Sequence, residues 1–477
     1  MIFLLAFAVT TAPAAAQNPD TPIAITDVTV IDVARSVPVA AQTVVIRGDR
    51  IVAMGAASQV SPPAGARVID GRGKFLIPGL WDFHVHATGQ VFEDLFQPLL
   101  VANGITAMRD MWGQVPAAQA ARARIARGEL VGPRSVVAGN IVDGTPPIWP
   151  GSTSVGTPED GRRIVDSIAA AGGAFIKVYS RLDPEVFRAI AHRAKARGIS
   201  FAGHIPSLVD AREASDLGQH TVEHLTNLLT DCSRDRDAIR AEIAAAVASP
   251  RRWDSAGRLQ RSQAARVLAS HDPGRCRELA RRFKANGTVM VPTMTVLRSV
   301  AFLDDSTLRN DPRLKYIPAW FSGRWDPRQD FRFRMLTADD WALRKRGHTR
   351  QLEIIRLFRQ EGVTFLPGTD LANPYLYPGF SLHDELANFV AIGYSPAEAL
   401  RAATLGPAEF FRATDSLGTV ATGKLADLVL LDADPLADIR NTTRIATVMA
   451  NGRVYDRAAL DALLADAEKR AKAPPPG

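Results

Sequence analysis

The sequence contains only two cysteines among its 477 residues. This excludes a disulfide-rich scaffold, a zinc site made of four thiolates and an iron–sulfur cluster held by cysteine alone. Long hydrophobic runs are also missing, since the apolar run Ile2–Val9 is too short to span a bilayer. Hydrophobic residues make up 46% and charged residues 22% of the chain, which excludes a disordered, collagen-like or multi-span membrane protein. Any metal must therefore be held by His, Asp, Glu or Lys.

The N-terminus has the pattern of a cleaved secretion signal. The apolar run is followed by Ala14-Ala15-Ala16 before Gln17, which predicts a signal peptide at residues 1–16 and a periplasmic or secreted protein. The usual basic residues before the run are absent, so an apolar N-terminus that is kept remains an alternative. In an exported protein Cys232 and Cys276 can form a disulfide or stay as two free thiols, and the sequence leaves both open.

The positive charge is unevenly distributed along the chain. The formal net charge is +7, and the excess of Lys and Arg lies in two stretches at about 228–287 and 297–350 that are rich in helix-forming residues. These helical insertions could form a basic lid that attracts an anionic substrate, or they could be solvated helix faces. No cluster of about five to eight Lys and Arg residues and no alternation of aromatic and basic residues is present, so nucleic-acid binding is not predicted.

The distribution of short apolar runs predicts an α/β protein. Alternating β-branched residues with Gly and Asp turns occur at both ends, in 23–75 and 416–458, which predicts one small β-sandwich domain made from both termini. Between them, residues 76–415 alternate short apolar runs with amphipathic segments, as in a (β/α)8 TIM-type barrel, with a doubly wound sheet as the alternative. The eight predicted strands are Leu80–His86, Ile105–Asp110, Ser135–Ile141, Phe175–Tyr179, Ser200–His204, Thr221–His224, Val289–Thr293 and Thr364–Thr369.

Six residues that can bind metal stand at the ends of these predicted strands. In the motif DFHVH two histidines are two positions apart, so both imidazoles point to the same side of a strand. Taken singly, the six could be a surface lysine, core histidines and a helix cap, but the strand ends form the active-site face of a (β/α)8 barrel. Their shared position favours a metal centre. The six are His84, His86, Lys177, His204, His224 and Asp370.

The order of these residues resembles the amidohydrolase superfamily, in its binuclear subtype with a carboxylated lysine. The resemblance extends over residues 23–458 and is greatest for the imidazolonepropionase-like and prolidase-type dipeptidase branch, which includes ochratoxin-hydrolysing enzymes. The segments that carry it are LIPGLWDFHVH, GITAMRD, SPAEALRAATLGPAEFF and GKLADLVLLDADPL.

The resemblance implies two divalent metal ions, most commonly zinc. His84, His86 and Asp370 would bind the more buried ion and His204 and His224 the other. A carbamate formed from CO2 on Lys177 would bridge both, because it supplies two hard oxygens and a negative charge. A hydroxide held by the metals would then attack a polarised carbonyl, and Asp370 would act as general base and then acid.

Four other residues are weaker candidates for the site. Tyr179, two residues after the lysine, could contact substrate, or simply pack in the core. Arg181 could pair with a substrate carboxylate, and His383 could cap a helix or line the pocket. Glu223 could support a metal ligand, but strand alternation places it opposite His224, which favours a structural role.

The motif also departs from its relatives in an informative way. Prolidase-type relatives tend to carry HxY after the fifth strand, where this chain has His204-Ile205-Pro206, which speaks against proline dipeptides. Deaminase relatives have a glutamate a few residues later, where this chain has Ser207-Leu208-Val209. The resemblance therefore predicts hydrolysis of an amide bond in another dipeptide or an N-acyl amino acid. An ester, lactone or cyclic-amide hydrolase using the same site, or a catalytically silent binding module, are the alternatives.

The expected partner is a small-molecule substrate that carries a carboxylate. No nucleic acid is expected, and no membrane after removal of the signal peptide. Whether several copies of the chain assemble is left open by the sequence.

Overall fold

The computed structural model describes residues 21–248 and 252–474. The predicted signal peptide at residues 1–16 lies outside these ranges. Within them, no helix combines the length and the apolar character needed to cross a membrane.

The N-terminal strands build half of a small β domain. The first strand pairs antiparallel with the second and parallel with the fourth and fifth. Its inward side chains Ile23, Ile25, Val28 and Val30 are buried, as the β-branched pattern predicts. The strands are β1 (Ile23–Asp32), β2 (Val37–Arg47), β3 (Arg50–Ala56), β4 (Arg67–Asp70) and β5 (Phe75–Pro78).

The middle of the chain forms parallel strands that alternate with helices. Parallel strands buried on both faces have continuous apolar sequences, and here nearly every strand residue is buried. The strands are β6 (Leu80–Val85), β7 (Ile105–Asp110), β8 (Arg134–Val137), β9 (Ile141–Asp143), β10 (Thr153–Ser154), β11 (Phe175–Val178), β12 (Ser200–Gly203), β13 (Thr221–Glu223) and β14 (Val289–Val291).

The eighth predicted strand lies between the last and the first strands of this series. The run 364–369 forms a parallel bridge to β14 between Met290 and Phe365. On the other side, the Phe83 amide donates to the Pro367 carbonyl at 2.9 Å, and the Asp370 amide donates to the His84 carbonyl at 2.7 Å. The eight runs therefore follow one another around a ring, and the predicted α/β fold with a TIM-type barrel is confirmed.

The chain returns to the β domain after the barrel. Strand β5 pairs antiparallel with β15, so the two ends of the chain share one eight-stranded sheet. One face of this sheet buries its own core, which includes Ile25, Val44 and Leu428, and the other face packs on the barrel helices. The prediction of a small β domain from both termini is confirmed. The returning strands are β15 (Leu428–Leu431), β16 (Ile445–Ala450) and β17 (Arg453–Asp456).

The helices begin and end at the residues that their sequences favour. Helix α3 is typical: the Thr157 hydroxyl and the Asp160 carboxylate cap each other's amides, and Gly172 ends the helix with a φ of 86°. The helices are α1 (Gln90–Ala102), α2 (Val115–Arg127), α3 (Pro158–Ala171), α4 (Pro184–Arg197), α5 (Ala211–Asp216), α6 (Leu228–Asp231), α7 (Arg236–Val247), α8 (Arg252–Ala269), α9 (Pro273–Asn286), α10 (Met294–Ala301), α11 (Ala319–Ser322), α12 (Ala338–Gln360), α13 (Phe380–Ala391), α14 (Pro396–Ala403), α15 (Leu405–Phe410) and α16 (Arg457–Ala471).

The two basic stretches are helical in the structure. The first contains α6 to α9, and the second contains α10, α11, short 3-10 turns and most of α12. In the first stretch many arginines are paired with acids, as Arg240 is with Asp210 at 3.0 Å and Arg266 with Asp235 at 2.6 Å.

A disulfide joins Cys232, at the end of α6, to Cys276 in α9. Of the two alternatives that the sequence left open, the structure therefore has the disulfide.

We expect the double variant Cys232→Ala/Cys276→Ala to be less stable than the wild type by about 2 to 4 kcal/mol, because a cross-link over 44 positions restricts the unfolded chain. Urea unfolding with and without reductant measures this difference. Reductant should destabilise the wild type and leave the double variant unchanged. Two titratable thiols in the denatured, non-reduced wild type would contradict the disulfide.

Candidate active site

All six of the residues predicted as metal ligands line a single cavity. The cavity has a volume of about 450 Å³, within the range typical of small-molecule sites. It lies at the C-terminal ends of the barrel strands, because each of the six stands at or next to a strand end. The six are His84, His86, Lys177, His204, His224 and Asp370.

The Asp370 carboxylate is the point at which three of these imidazoles meet. Its Oδ1 atom lies 3.0 Å from His86 Nε2 and 3.3 Å from His84 Nε2, and its Oδ2 atom lies 3.8 Å from His224 Nε2. Burial alone would raise the pKa of Asp370, but its contacts with His84, His86 and His224 hold that pKa well below its usual value. Asp370 is therefore an ionised carboxylate at the floor of the cavity.

Backbone contacts fix the position of this carboxylate. Asp370 has a φ of 61°, in the left-handed region, and its amide donates to the His84 carbonyl at 2.7 Å. The preceding residue, Thr369, donates its amide and its hydroxyl to the buried Asp82 at 3.0 and 2.7 Å. A strained backbone held on both sides is common where a functional side chain must be aimed.

The donor atoms fit a divalent metal ion. Ligand atoms of His84, His224 and Asp370 lie within 4.8 Å of one another. The Nε2 atom of His84 is buried without a hydrogen-bond partner. Buried nitrogen atoms are rarely left unpaired, and imidazole nitrogen with carboxylate oxygen is a donor set that binds divalent metals.

The Nδ1 atoms of His224 and His204 have hydrogen-bond partners outside the cavity, which leaves the Nε2 atoms of these two rings for the cavity. The Thr293 hydroxyl donates to the Pro292 carbonyl at 2.7 Å, so it accepts a hydrogen bond from His224 Nδ1, also at 2.7 Å. His204 Nδ1 lies 2.8 Å from the Ser180 hydroxyl. Such contacts orient metal-binding imidazoles and set their tautomer.

Burial keeps two of these rings uncharged. Burial, together with the charge of Lys177, lowers the pKa of His204 well below its usual value. Burial also lowers the pKa of His224 to about 3, against the opposing attraction of Asp370. Neutral imidazole is the form that binds metals, so both rings are in that form at neutral pH.

Lys177 is fully buried beside these rings, at the end of β11. Burial lowers its pKa to about 8, although Glu223 and Asp370 attract the charged form. More of this lysine is therefore an uncharged amine at neutral pH than of a lysine in water. The uncharged amine is the form that can react with CO2 to give a carbamate.

Glu223 lies at the site rather than on the opposite face of its strand. Strand β13 ends at this residue, and His224 has a φ of 56°, so the alternation on which the structural interpretation relied does not continue. Both side chains therefore reach the barrel interior. Glu223 Oε2 lies 2.8 Å from His84 Nδ1, and Glu223 Oε1 accepts a hydrogen bond from Arg109 Nη2 at 2.7 Å.

The charge of Glu223 fixes the tautomer of His84. Burial alone would raise the pKa of this carboxyl, but Arg109 and His84 hold it far below its usual range. An ionised carboxylate can only accept, so His84 Nδ1 carries the hydrogen and Nε2 presents its lone pair to the cavity. Glu223 thus acts on the candidate metal ligand through a hydrogen bond.

Arg109 is a component of the site that the sequence reasoning missed. It lies in β7, buried, with Nε donating to the Phe83 carbonyl at 2.8 Å and Nη1 to the Thr221 hydroxyl at 3.1 Å. The signal was present, since an arginine in a strand that is otherwise apolar must find a buried acid.

The weaker candidates have different locations. Tyr179 lines the cavity: its ring stacks on His204 with centroids 3.9 Å apart, and its hydroxyl accepts a hydrogen bond from Trp149 Nε1 at 2.8 Å. Arg181 instead donates to the Pro146 carbonyl at 3.0 Å and is not part of the cavity wall. His383 is also outside the wall.

His383 has a structural role in the fold. Its Nδ1 atom lies 2.9 Å from the Thr442 hydroxyl and its Nε2 atom 3.0 Å from the Asn103 carbonyl. It therefore joins α13 to the loop after α1 and to the 3-10 turn before β16. The sequence suggested a helix cap or a pocket residue, and this location agrees with neither.

The upper wall of the cavity is mostly aromatic and carries two arginines that the sequence reasoning did not single out. The arginines come from the second basic stretch, 297–350, in agreement with a basic segment near the site. The main wall residues of this part are Phe92, Trp112, Trp149, Phe321, Arg332, Phe333 and Arg344.

Comparison with known proteins agrees with this arrangement. Residues 75–455, most of the chain, match the model of the amidohydrolase family. The chain belongs to the amidohydrolase family. The resemblance seen in the sequence is thereby confirmed, and with it the prediction of a hydrolase at the level of the family.

Solved structures of other amidohydrolases share the fold. Bottromycin amidohydrolase is 24% identical with a TM-score of 0.72, over 94% of this chain and 90% of that one. A putative prolidase from Bifidobacterium longum is 23% identical with a TM-score of 0.63, over 94% and 99%. Ochratoxinase from A. niger is 17% identical with a TM-score of 0.62, over 91% and 96%. At these identities the likeness concerns the fold alone.

A curated relative matches a short segment only. An adenine deaminase from Rubrobacter xylanophilus is 42% identical over 65 residues, which is 13% of this chain and 11% of the deaminase. A match of this length concerns a part of the family fold and not the whole protein.

We expect Glu223→Gln to weaken metal binding about 10- to 100-fold, the usual effect of losing a partner of a ligating histidine. With the amide oxygen facing Arg109, the amide nitrogen donates to His84 Nδ1 and forces the hydrogen onto Nε2, which blocks its lone pair. Competition with a chelator of known affinity measures the change.

Thr221→Val is the matched control, because the Thr221 hydroxyl contacts Glu223 and Arg109 but not His84. It should leave metal affinity within a few-fold of the wild type. A Glu223→Gln variant that binds metal as tightly as Thr221→Val would show that Glu223 does not orient His84.

Proposed function

We propose that this amidohydrolase hydrolyses an amide bond in a dipeptide or an N-acyl amino acid. The reaction would take place at a centre of two divalent metal ions, for which we propose zinc. The observation that carries the proposal is the Asp370 carboxylate, which lies against the imidazoles of His84, His86 and His224 in the cavity that also contains Lys177. Family membership supports amide hydrolysis in general, and the substrate and the metal dependence are our proposals.

The ligands divide into two groups. His84, His86 and Asp370 would hold the more buried ion, and His204 and His224 the other. Lys177 would bridge both as a carbamate, whose two oxygens suit hard or borderline cations. Bound zinc would supply a Lewis acid for the carbonyl oxygen and a lowered pKa for water.

The chain itself supplies the proton transfers. The ionised Asp370 is able to accept the proton of the attacking water and to deliver it to the leaving amine, as general base and then acid. Burial raises the pKa of Tyr179, so its hydroxyl stays protonated. Because that oxygen accepts from Trp149, its own hydrogen is free to be donated to the oxyanion of the substrate.

Export is part of the proposal. The pattern of residues 1–16 is that of a signal peptide, and the Cys232–Cys276 disulfide is of a kind that persists in oxidising compartments. Both support a periplasmic or secreted enzyme that meets its substrate outside the cytoplasm.

We expect Lys177→Ala to hold at most one zinc ion per chain, where the wild type holds two, because the bridging oxygens are lost. Metal content after dialysis, measured by elemental analysis, checks this result. Lys195→Ala, which removes an exposed lysine from α4, is the control and should keep two ions. Two tightly bound ions in Lys177→Ala would refute the bridging role.

We expect Asp370→Asn to lower kcat by about 100-fold or more, since the variant loses a proton acceptor and a ligand. The assay is hydrolysis of a panel of N-acyl amino acids, dipeptides and lactones by zinc-loaded protein, with a chelator and with added bicarbonate. Asp339→Asn, an exposed change at the start of α12, should be unaffected. Turnover of lactones alone would replace amide hydrolysis as the function, and full activity of Asp370→Asn would remove Asp370 from the mechanism.

A further inference from the structure

Two arginines of the second basic stretch reach the cavity in different electrostatic states. Arg332 is compensated: its Nε and Nη2 atoms bind the Asp330 carboxylate, with Nη2 at 2.7 Å from Oδ2. Its Nη1 atom donates to Asn373 Oδ1 at 3.1 Å. Its donors are used by the protein, so Arg332 serves to hold its loop in place.

Arg344 has no such partner. Its guanidinium forms no salt bridge and no hydrogen bond with the residues that the structure describes, and its buried Nε atom is unpaired. It lies instead over the ring of Phe333, with 4.9 Å between the guanidinium carbon and the ring centroid. Trp341 is a second ring, at 5.9 Å.

An unpaired guanidinium in this position is costly for the free protein. Burial, and the charge of the nearby Arg332, lower the pKa of Arg344, with Asp340 and Asp330 opposing from a distance. Arginine nevertheless stays charged in proteins. Arg344 is half-buried, and a buried donor atom such as its Nε is rarely left unpaired in natural proteins, so the unused donors indicate an anion that comes with the ligand.

The surroundings of Arg344 are apolar. The cavity that Arg344 and the six metal-ligand candidates line is also lined by Phe321, Phe333 and Trp149. Next to the wall, Phe331 is 52% exposed and packs edge-on against Trp149, with centroids 5.5 Å apart, and Met335 is 73% exposed. Large apolar side chains exposed beside a cavity are typical of a surface that a ligand covers.

We propose that Arg344 is the specificity-determining residue for this enzyme: it binds the carboxylate of a substrate whose neighbouring group is large and apolar. The scissile amide would lie between Arg344 and the six metal-ligand candidates, which line the same cavity. A guanidinium with free donors can bind a carboxylate with two parallel hydrogen bonds. This inference rests on the proposed function for the position of the amide, but not for the binding of the anion.

The first test is hydrolysis of two matched substrates by zinc-loaded protein. N-acetylphenylalanine carries the carboxylate, and N-acetylphenylalaninamide is its neutral analogue, with release of acetate as the readout for both. We expect the ratio of kcat/KM, anionic over neutral, to fall about 10- to 100-fold in Arg344→Met, as is usual for a hydrogen bond to a charged group. In Arg344→Lys the same ratio should lie between the values of the wild type and of Arg344→Met, because lysine keeps the charge but cannot form two parallel hydrogen bonds.

Arg346→Met is the matched control. It removes the same charge from an exposed position two residues further along α12, so it should leave the ratio unchanged. An equal fall in both variants, or no fall in Arg344→Met, would overturn the proposal.

N-acetylphenylalanine should also exceed N-acetylglycine in kcat/KM by about 10-fold or more in the wild type, from burial of the ring. Equal kcat/KM values for these two substrates would show that the enzyme does not select a large apolar group next to the carboxylate.

The second test is independent of turnover. Calorimetric titration of zinc-loaded protein with 3-phenylpropanoate and 3-phenylpropanamide should show tighter binding of the anion, and Arg344→Met should abolish most of the difference while Arg346→Met keeps it. Anion binding that survives in Arg344→Met would place the carboxylate elsewhere and overturn the inference. Binding that depends on Arg344 in a protein that hydrolyses no N-acyl amino acid and no dipeptide of the panel would overturn the proposed function and leave the anion subsite intact.

Discussion

The buried Asp370 carboxylate is the interaction on which the rest of the candidate site depends. It is the only acid among the six side chains at the strand ends, and it is the group that His84, His86 and His224 share. Its place is set by the fold, since the eighth run of the barrel binds β6 through backbone hydrogen bonds at Phe83 and His84. Closing the ring therefore brings the first and last strands, and the ligands that they carry, to one point.

A buried ion pair next to the candidate site supports this arrangement. Arg109 and Glu223 neutralise each other inside the barrel, which offsets much of the cost of burying either charge. Glu223 at the same time holds the hydrogen of His84 on Nδ1, so the structural ion pair also determines which nitrogen faces the cavity. These residues therefore link stability to the proposed metal binding, and we expect a change in one of them to affect both.

The sequence was sufficient for the features that follow from regular periodicity. The barrel strands, the β domain from both termini and the convergence of the six ligands follow from apolar runs and from the rule that strand ends share one face. It was insufficient where the backbone departs from regularity. Glu223 was misplaced because His224 adopts a left-handed φ. The basic stretch was expected near the substrate, but its wall arginines could not be named, because Arg332 and the turns before α12 lie in an irregular segment whose path no periodicity specifies. His383 lacked a defined place for the same reason, since its partners come from a loop and a short turn.

The structure separates a general reaction centre from a specific binding wall. The centre is built from the barrel, in which Asp370 and Glu223 are compensated by neighbouring groups of the barrel itself. Much of the wall comes from the stretch 297–350, where the Arg344 Nε atom has no hydrogen-bond partner among the described residues. A carboxylate could also bind metal ions directly, and this would displace the amide from the centre. The guanidinium of Arg344, which lies over the rings of Phe333 and Trp341, can offer the carboxylate two parallel donors. The charge imbalance of Arg344 therefore orients an anionic substrate, with its carboxylate at the wall and its amide at the strand ends.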